Sequence, residues 1–524
     1  MAARFSIEDI LEATGGALAG RGDSPMALAG VSTDTRTLLC GEAFFALRGE
    51  CHDAHDHLGE AAGKGAALLV VSDASKAPAG FTGAVIAVED TLRAYQDLAA
   101  WYLRRLDPFV VAVTGSVGKT TLKDMIACIL SEYARVHRTE GNLNNQVGLP
   151  RTILSADEGT EALVVEMGME RAGEIERLAD IARPHVCAIT NIGVSHRENF
   201  GSDDGILRAK YEIASFLGKG GALVINPAGS AGLEGLAAAG SRERGFKLLR
   251  VAEKGSDGEA SACFTVSPVR VDEADAAVSL FEIEERARGG AVSFSVPMAG
   301  TYAGVSAAMA AAACARAGVS LADAARALKK LARTPHRLEP VRAGGILVID
   351  DTYNASPDSA RSGLEYLKSV PAKRRIAVLA DMNELGAGSE ALHRETGAAA
   401  IRAGADLVYA FGGKAELIAE GAAEAAAARG CGTPRAASPT ETAAAKEAAS
   451  PAGTAAAKAA ASPTEAAAAK EAAAAQGVLW FGPERKAEMA AALRAEARDG
   501  DAVYVKGSRS MKMEEIVRAL TEGA

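Results

Sequence analysis

Between residues 114 and 121 the chain reads TGSVGKTT, a run with the glycines, lysine and hydroxyls that a phosphate cradle uses. Gly115 and Gly118 let the backbone turn its amides toward anionic oxygens, Lys119 offers a mobile cation, and Thr120 offers a hydroxyl to Mg2+. Ser116, Val117 and Thr121 complete the loop and the first helical turn, whose partial positive charge favours phosphate. The usual G-x-x-x-x-G-K-[ST] spacing calls for glycine at 113, where Val113 stands, so the loop is a variant. A glycine-rich turn with a surface lysine is the plainer reading, but an apolar strand-like run precedes these residues and a helical pattern follows them.

Two further residues suit a phosphoryl-transfer site. Glu166, in ALVVEMGM, falls where a strand would end, and open α/β sheets bind ligands at the carboxyl ends of their strands. A carboxylate there, close to Thr120, supplies the oxygen donors a hard cation prefers. His196, in ITNIGVSHRENFGS, follows the next strand-like run and would face the same edge. Taken singly, Glu166 could pair with an arginine and His196 could be an ordinary loop histidine.

The elements that must position these groups follow from apolar patterning. Short runs at 67–71 and 84–88 alternate with helical stretches and suggest a small α/β unit. FVVAV before the phosphate loop, then ALVVEMG, HVCAITNIG and GALVINP, separated by stretches long enough for crossover helices, predict a mostly parallel sheet. A glycine-punctuated β-rich stretch covers 249–298, and alanine-rich helices follow at 303–332. From HRLEPV onward, GILVIDD, RIAVLAD, DLVYAFG, GVLWFG and DAVYVKGS alternate with helices and predict a second open α/β domain. The expected fold is therefore α/β in three domains: 1–89, a central P-loop domain over 90–334, and a Rossmann-like domain over 335–524. The last carries an alanine-rich insertion at about 432–476, with three twelve-residue repeats across 438–473. Each repeat opens Ser-Pro, a helix-starting pair that also stops the preceding helix, and the segment reads as a solvated helical spacer.

Bulk properties exclude several classes. The 48% hydrophobic and 24% charged residues over 524 positions describe a globular chain too long for one core. A formal net charge of -10 argues against nucleic-acid binding through a general basic field. The seven cysteines form no CxxC pair, which leaves a reducing cytoplasm as the simplest compartment. No apolar stretch approaches the roughly 20 residues of a membrane span.

Several runs, in order, resemble the Mur ligase family. TGSVGKTTLKD, TEGNLNNQVGLP, EMGM, ITNIGVSHRENFGS and RAKYEI are similar to its central domain, and GNLNNQVGLP with EMGM points to the branch that adds a terminal D-alanyl-D-alanine. VSTDTRTLLCGEAFFALRGE looks like the uridine-binding N-terminal domain, while DDTYNASPDS, LADMNELG, His393 and VKGSRSMKME resemble the C-terminal one. The resemblance implies that ATP phosphorylates the carboxylate of UDP-N-acetylmuramoyl-tripeptide, and that D-alanyl-D-alanine then attacks the acyl phosphate. It assigns the first Mg2+ to Thr120 and Glu166, a second to His196 and Lys210, and carbamylation to Lys210, since an ammonium cannot ligate a metal. Lys119 neutralises the γ-phosphoryl group.

By the same resemblance Arg337, Asp351, Tyr353 and Asn354 help close the C-terminal domain over ATP, although DDTYNASPDS also reads as a plain polar turn. Asp34, Thr35 and Arg36 match the uridine-diphosphate site, Asn144 and Asn145 a substrate loop, and Lys506, Ser508 and Arg509 a loop facing the peptide or dipeptide. The family implies a monomer. Departures are Tyr302 and Ser306 where the family carries His and Asn near ATP, DAHDH with Ala54 and His57 altered, and INPAGS without its usual Asp pair. Rival readings are another ligase of the superfamily, a P-loop regulatory ATPase and a non-catalytic nucleotide-sugar binder.

Overall fold

The protein is described here as a computed structural model covering residues 5–22, 27–49, 52–193, 200, 202–272, 275–300, 302–429 and 476–522. His196 and the repeats at 438–473 lie outside the described residues. Three α/β domains follow one another along the chain, each around its own sheet.

The N-terminal sheet has five strands, in the order Ala17–Gly20, Ala84–Ala87, Leu68–Val71, Ala43–Phe45 and Val31–Ser32. All neighbours are parallel except the first pair. Leu68–Val71 is buried throughout, as expected of a parallel strand covered on both faces. The helix Thr91–Leu106 then leads to the central domain; Asp90 caps its start, accepting from the amides of Leu92 and Arg93.

The central sheet has ten strands, and its parallel part runs Val136–Arg138, Ala162–Glu166, Phe109–Thr114, Val186–Ile189, Ala222–Ile225, Lys247–Glu253 and Phe264–Val266. An antiparallel extension, centred on Ser279–Glu285 and Ala291–Val296, accounts for the β-rich stretch. The middle strands are almost wholly aliphatic, so both faces can be covered by helices. Because Phe109–Thr114 lies between Ala162–Glu166 and Val186–Ile189, the ends of all three strands open onto one edge.

The C-terminal sheet has six strands, in the order Glu339–Ala343, Ile346–Asp351, Asp501–Lys506, Arg374–Ala380, Leu407–Phe411 and Val478–Phe481. Only the first pairs antiparallel. The central position of Asp501–Lys506, the last strand in sequence, brings its end beside that of Ile346–Asp351. Among the described residues no helix is long and apolar enough to cross a membrane.

Candidate active site

Val113 is a fully buried strand residue in register with Glu166 and Ala188, which explains why no glycine is needed there: the loop begins later, at Gly115. Gly115 has φ +146, and a Cβ on it would collide with Thr190 Oγ1, so glycine is required twice over. Gly118, at φ +85, starts the helix Lys119–Leu130 without a side-chain cap. The loop is braced by the neighbouring strand's end. Asn191 Oδ1 accepts from the amides of Ser116 (3.1 Å) and Val117 (2.9 Å), and Thr190 Oγ1 donates to the carbonyl of Val117 (2.6 Å). The expectation that the loop amides turn toward anionic oxygen thus needs qualification, because these two already converge on a side-chain oxygen. Asn191 belongs to no phosphate-loop motif; the only sequence signal for it is ITN directly after an apolar strand, which places it at this edge.

Thr120 and Glu166 meet as expected: the threonine hydroxyl donates to Glu166 Oε2 at 2.8 Å. The other carboxylate oxygen accepts from Asn144 Nδ2 at 2.8 Å, so Asn144 orients the carboxylate. Asn145 instead turns away from the carboxylate and braces the turn before the helix Gly148–Ser155, its Oδ1 accepting from the amides of Val147 and Gly148. Lys119 and Lys210 both donate to the carbonyl of Gly115, at 2.9 and 3.2 Å. Lys210 is 2% exposed, and burial, with Lys119 beside it, holds its amine well below the usual lysine range. Desolvation also lowers the pKa of Lys119; Glu166 opposes that shift and Arg337 adds to it. A hydroxyl and a carboxylate side by side are the oxygen donors Mg2+ takes, so these residues fit the ion.

The C-terminal domain reaches across. Arg337 Nη2 donates to Thr120 Oγ1 at 3.2 Å, its guanidinium lies 4.2 Å from the centre of the Tyr353 ring, and its buried Nε has no protein partner. Two non-glycine residues with left-handed backbone flank it, His336 (φ 61) and Leu338 (φ 49). His336 Nδ1 pairs with Asp350 Oδ2 at 2.7 Å, and the amide of Leu338 donates to Asp351 Oδ1 at 3.3 Å.

Asp351 also accepts from Tyr504 (2.9 Å) and Lys506 (2.5 Å), so its carboxylate is an internal anchor for this crossing. That corrects the loop assignment for Lys506. It is the last residue of a strand, 3% exposed, and its ammonium is held by Asp351 and the carbonyl of Asn354. Ser508 is likewise buried, and its hydroxyl accepts from the amide of Asn383. Arg509 remains at the cleft wall.

Lys119, Thr120, Asn144, Glu166, Arg337 and Asp351 line one cleft of about 760 Å³ between the central and C-terminal domains, whereas Lys210 lies behind the phosphate loop and is not part of its lining. Tyr302 and Ser306, two of the departures from the family pattern, sit on its wall with Asn226 of INPAGS. Asp34, Thr35 and Arg36 lie apart, in the N-terminal domain. Arg36 folds back bidentately on Asp34 (2.7 and 2.9 Å), which lowers the carboxyl to about 2, and the carbonyl of Thr35 accepts from Lys64 at 2.7 Å.

Residues 113–315 match the Mur ligase middle domain, and 336–457 match the family's glutamate ligase domain. The UDP-N-acetylmuramoyl-tripeptide--D-alanyl-D-alanine ligase of Bacillus subtilis (strain 168) is 35% identical over 426 residues, covering 80% of this chain and 87% of the relative. This chain belongs to the Mur ligase family. The enzyme of that name from Escherichia coli (strain K12) is 36% identical, covering 74% and 82%. In three dimensions this Mur ligase superposes on MurF from Acinetobacter baumannii with a TM-score of 0.79 at 25% identity, over 99% of each chain. The family and the cleft agree: this Mur ligase is an enzyme of the ligase class, with three α/β domains.

Proposed function

We propose that this Mur ligase joins D-alanyl-D-alanine to UDP-N-acetylmuramoyl-tripeptide at the expense of ATP, through an acyl phosphate. The observation that carries the reading is the interdomain cleft in which Lys119, Thr120 and Glu166 face Arg337 and Arg509. The relatives that match most of the chain, named for this reaction, support the substrates. Two anions, ATP and the tripeptide carboxylate, must meet there, and the cations on both walls offset their repulsion.

In the first step a carboxylate oxygen attacks the γ-phosphorus and ADP leaves. In the second the dipeptide's amine attacks the acyl carbon, the C–O bond to phosphate breaks, and the amine loses a proton. Lys119 faces the transferring phosphoryl group, and Arg337, with its unpartnered Nε, clamps it from the other domain. Thr120 and Glu166 would hold Mg2+, which would neutralise phosphoryl charge. His196 and Lys210 would serve a second ion, with Lys210 carbamylated: the neutral amine that burial favours adds CO2 and releases one proton to give the carbamate. Carbon-13 NMR of protein equilibrated with labelled bicarbonate reads this directly, and a Lys210→Ala variant must lose the carbamate signal.

Asp34, Thr35 and Arg36 receive the uridine diphosphate, Asn144 and Arg509 line the path of the peptide substrates, and Asp351, Tyr353 and Asn354 shape the nucleotide side. The domains divide near 89 and 335, which are also the hinges for closure. ATP and nucleotide-linked substrates put the reaction in the cytoplasm.

The test is phosphate release with ATP, Mg2+, UDP-N-acetylmuramoyl-tripeptide and D-alanyl-D-alanine, omitting each in turn and weighing the product. Release that requires both acceptor and dipeptide, with formation of the pentapeptide, is expected. Release indifferent to them would instead favour a P-loop ATPase.

A further inference from the structure

The helix Thr91–Leu106 belongs to two domains at once. On one side Thr91 Oγ1 donates to the carbonyl of Ala46 (2.8 Å), and the Tyr95 ring packs on that of Phe45 at 5.4 Å, both in the N-terminal domain. The next residue, Gln96, is 4% exposed and points the other way. Its Oε1 accepts from Arg177 Nε at 2.8 Å, while its Nε2 donates to both the side-chain oxygen (2.9 Å) and the carbonyl (3.1 Å) of Gln146. Arg177 is in turn fixed by Asp97 (2.7 Å) and Asp180 (2.9 Å). Gln146 Nε2 donates to the carbonyl of Glu174 at 2.9 Å.

Gln146 lies two residues from Asn144, in a loop too tight to slacken independently: a Cβ on Gly148 would overlap the backbone of Leu143. The far side of that loop is pinned to the strand that carries Glu166, by the Gly168 amide on the Asn144 carbonyl (2.8 Å) and by Asn144 Nδ2 on Glu166 Oε1. Hydrogen bonds therefore link the interdomain helix to Gln146 through Gln96, the backbone of residues 144–146 carries the connection to Asn144, and hydrogen bonds continue from there to Glu166, Thr120 and Arg337.

We infer that Gln96 is a positioning residue of the active site, aiming Asn144, and through it the Glu166 carboxylate, by its grip on Gln146. The inference rests on the reading of Glu166 as a metal ligand. A buried amide with both donor and acceptor satisfied is costly to replace and rigid where it stands, which suits a strut. Its place next to Tyr95 also makes the strut sensitive to how the N-terminal domain is seated.

The experiment is a double-mutant cycle read by calorimetric titration of Mn2+–ADP, which needs neither peptide substrate. Gln96→Glu keeps the contact with Arg177 but cannot donate to Gln146; Gln146→Ala removes the side-chain half of the same link and leaves only the backbone carbonyl as acceptor. Both are expected to melt lower than wild type but to stay folded at the titration temperature, and to weaken Mn2+–ADP by about tenfold, the weight of one or two hydrogen bonds. In an Asn144→Ala background neither should cost anything further. Unchanged affinity in both variants, or losses that multiply with Asn144→Ala, would overturn the strut. The failure of the ligase assay above would count against the substrates alone, because the cycle is read in binding.

Discussion

Lys506→Met tests the anchor beneath the interdomain crossing. The variant keeps the length of the side chain but leaves the carboxylate of Asp351, 8% exposed, without its cation. Removing one partner of a buried ion pair costs roughly 3–5 kcal/mol. Asp351 keeps two other donors, Tyr504 at 2.9 Å and the Leu338 amide at 3.3 Å, so the low end, about 3 kcal/mol, is expected. For a cooperative unit of roughly 150–250 residues each kcal/mol moves the melting point by about 2–4 °C, which gives a drop of roughly 6–12 °C. The chain has two tryptophans, and Trp480 lies in the C-terminal domain, its indole donating to the carbonyl of Gly412. Fluorescence in a Trp101→Phe background therefore reports that domain alone. Adding Asp351→Asn to Lys506→Met should raise the melting point again, because the stranded charge is gone. A Lys506→Met protein that melts with wild type, or a double variant that melts lower still, would refute the assignment of Asp351 as a buried carboxylate held by Lys506.

Other substitutions probe the cleft and its support. Glu166→Gln keeps an oxygen for Thr120 but removes the charge, and turnover at saturating Mg2+ should fall by at least about 100-fold, with titration to higher Mg2+ recovering little. Arg337→Lys preserves charge but loses the planar fork and the stacking on Tyr353, so kcat/KM for ATP should fall by roughly 10- to 100-fold in steady-state assays. His393 is fully buried, with Nε2 accepting from the Met382 amide and Nδ1 on the carbonyl of Ser389. Burial pulls its pKa below the ordinary 6.5; the Ser389 contact and Asp381 oppose this, and Lys414 adds to it. The unfolded chain therefore binds this proton first. The stability due to neutral His393 is complete above about pH 6.5 and falls as the pH drops below it. His393→Gln should remove that part of the slope, so its melting deficit relative to wild type narrows between pH 7.5 and pH 5; a constant deficit would refute the role.

The order of elements and the phosphate loop were legible in the sequence because both are local. An aliphatic strand, a glycine turn and a helix start are encoded within a few residues, and Thr120 and Glu166 follow from the rule that ligands sit at strand ends. Lys119, Thr120 and Glu166 could thus be named from type and spacing. What tertiary structure alone decided is which partner each polar group takes. Lys506 reads as a loop residue because glycine and serines follow it; the central place of its strand buries it instead and gives it to Asp351, 155 positions away, while Ser508, just past the strand end, is a loop residue buried against Asn383. Asn144 and Asn145 are adjacent and chemically identical, yet one holds the Glu166 carboxylate and the other accepts from the amides of Val147 and Gly148 in its own turn. Hydrophobic periodicity determines which faces are buried, but a hydrogen bond between distant residues exists only once sheet order and domain packing have brought its two ends together.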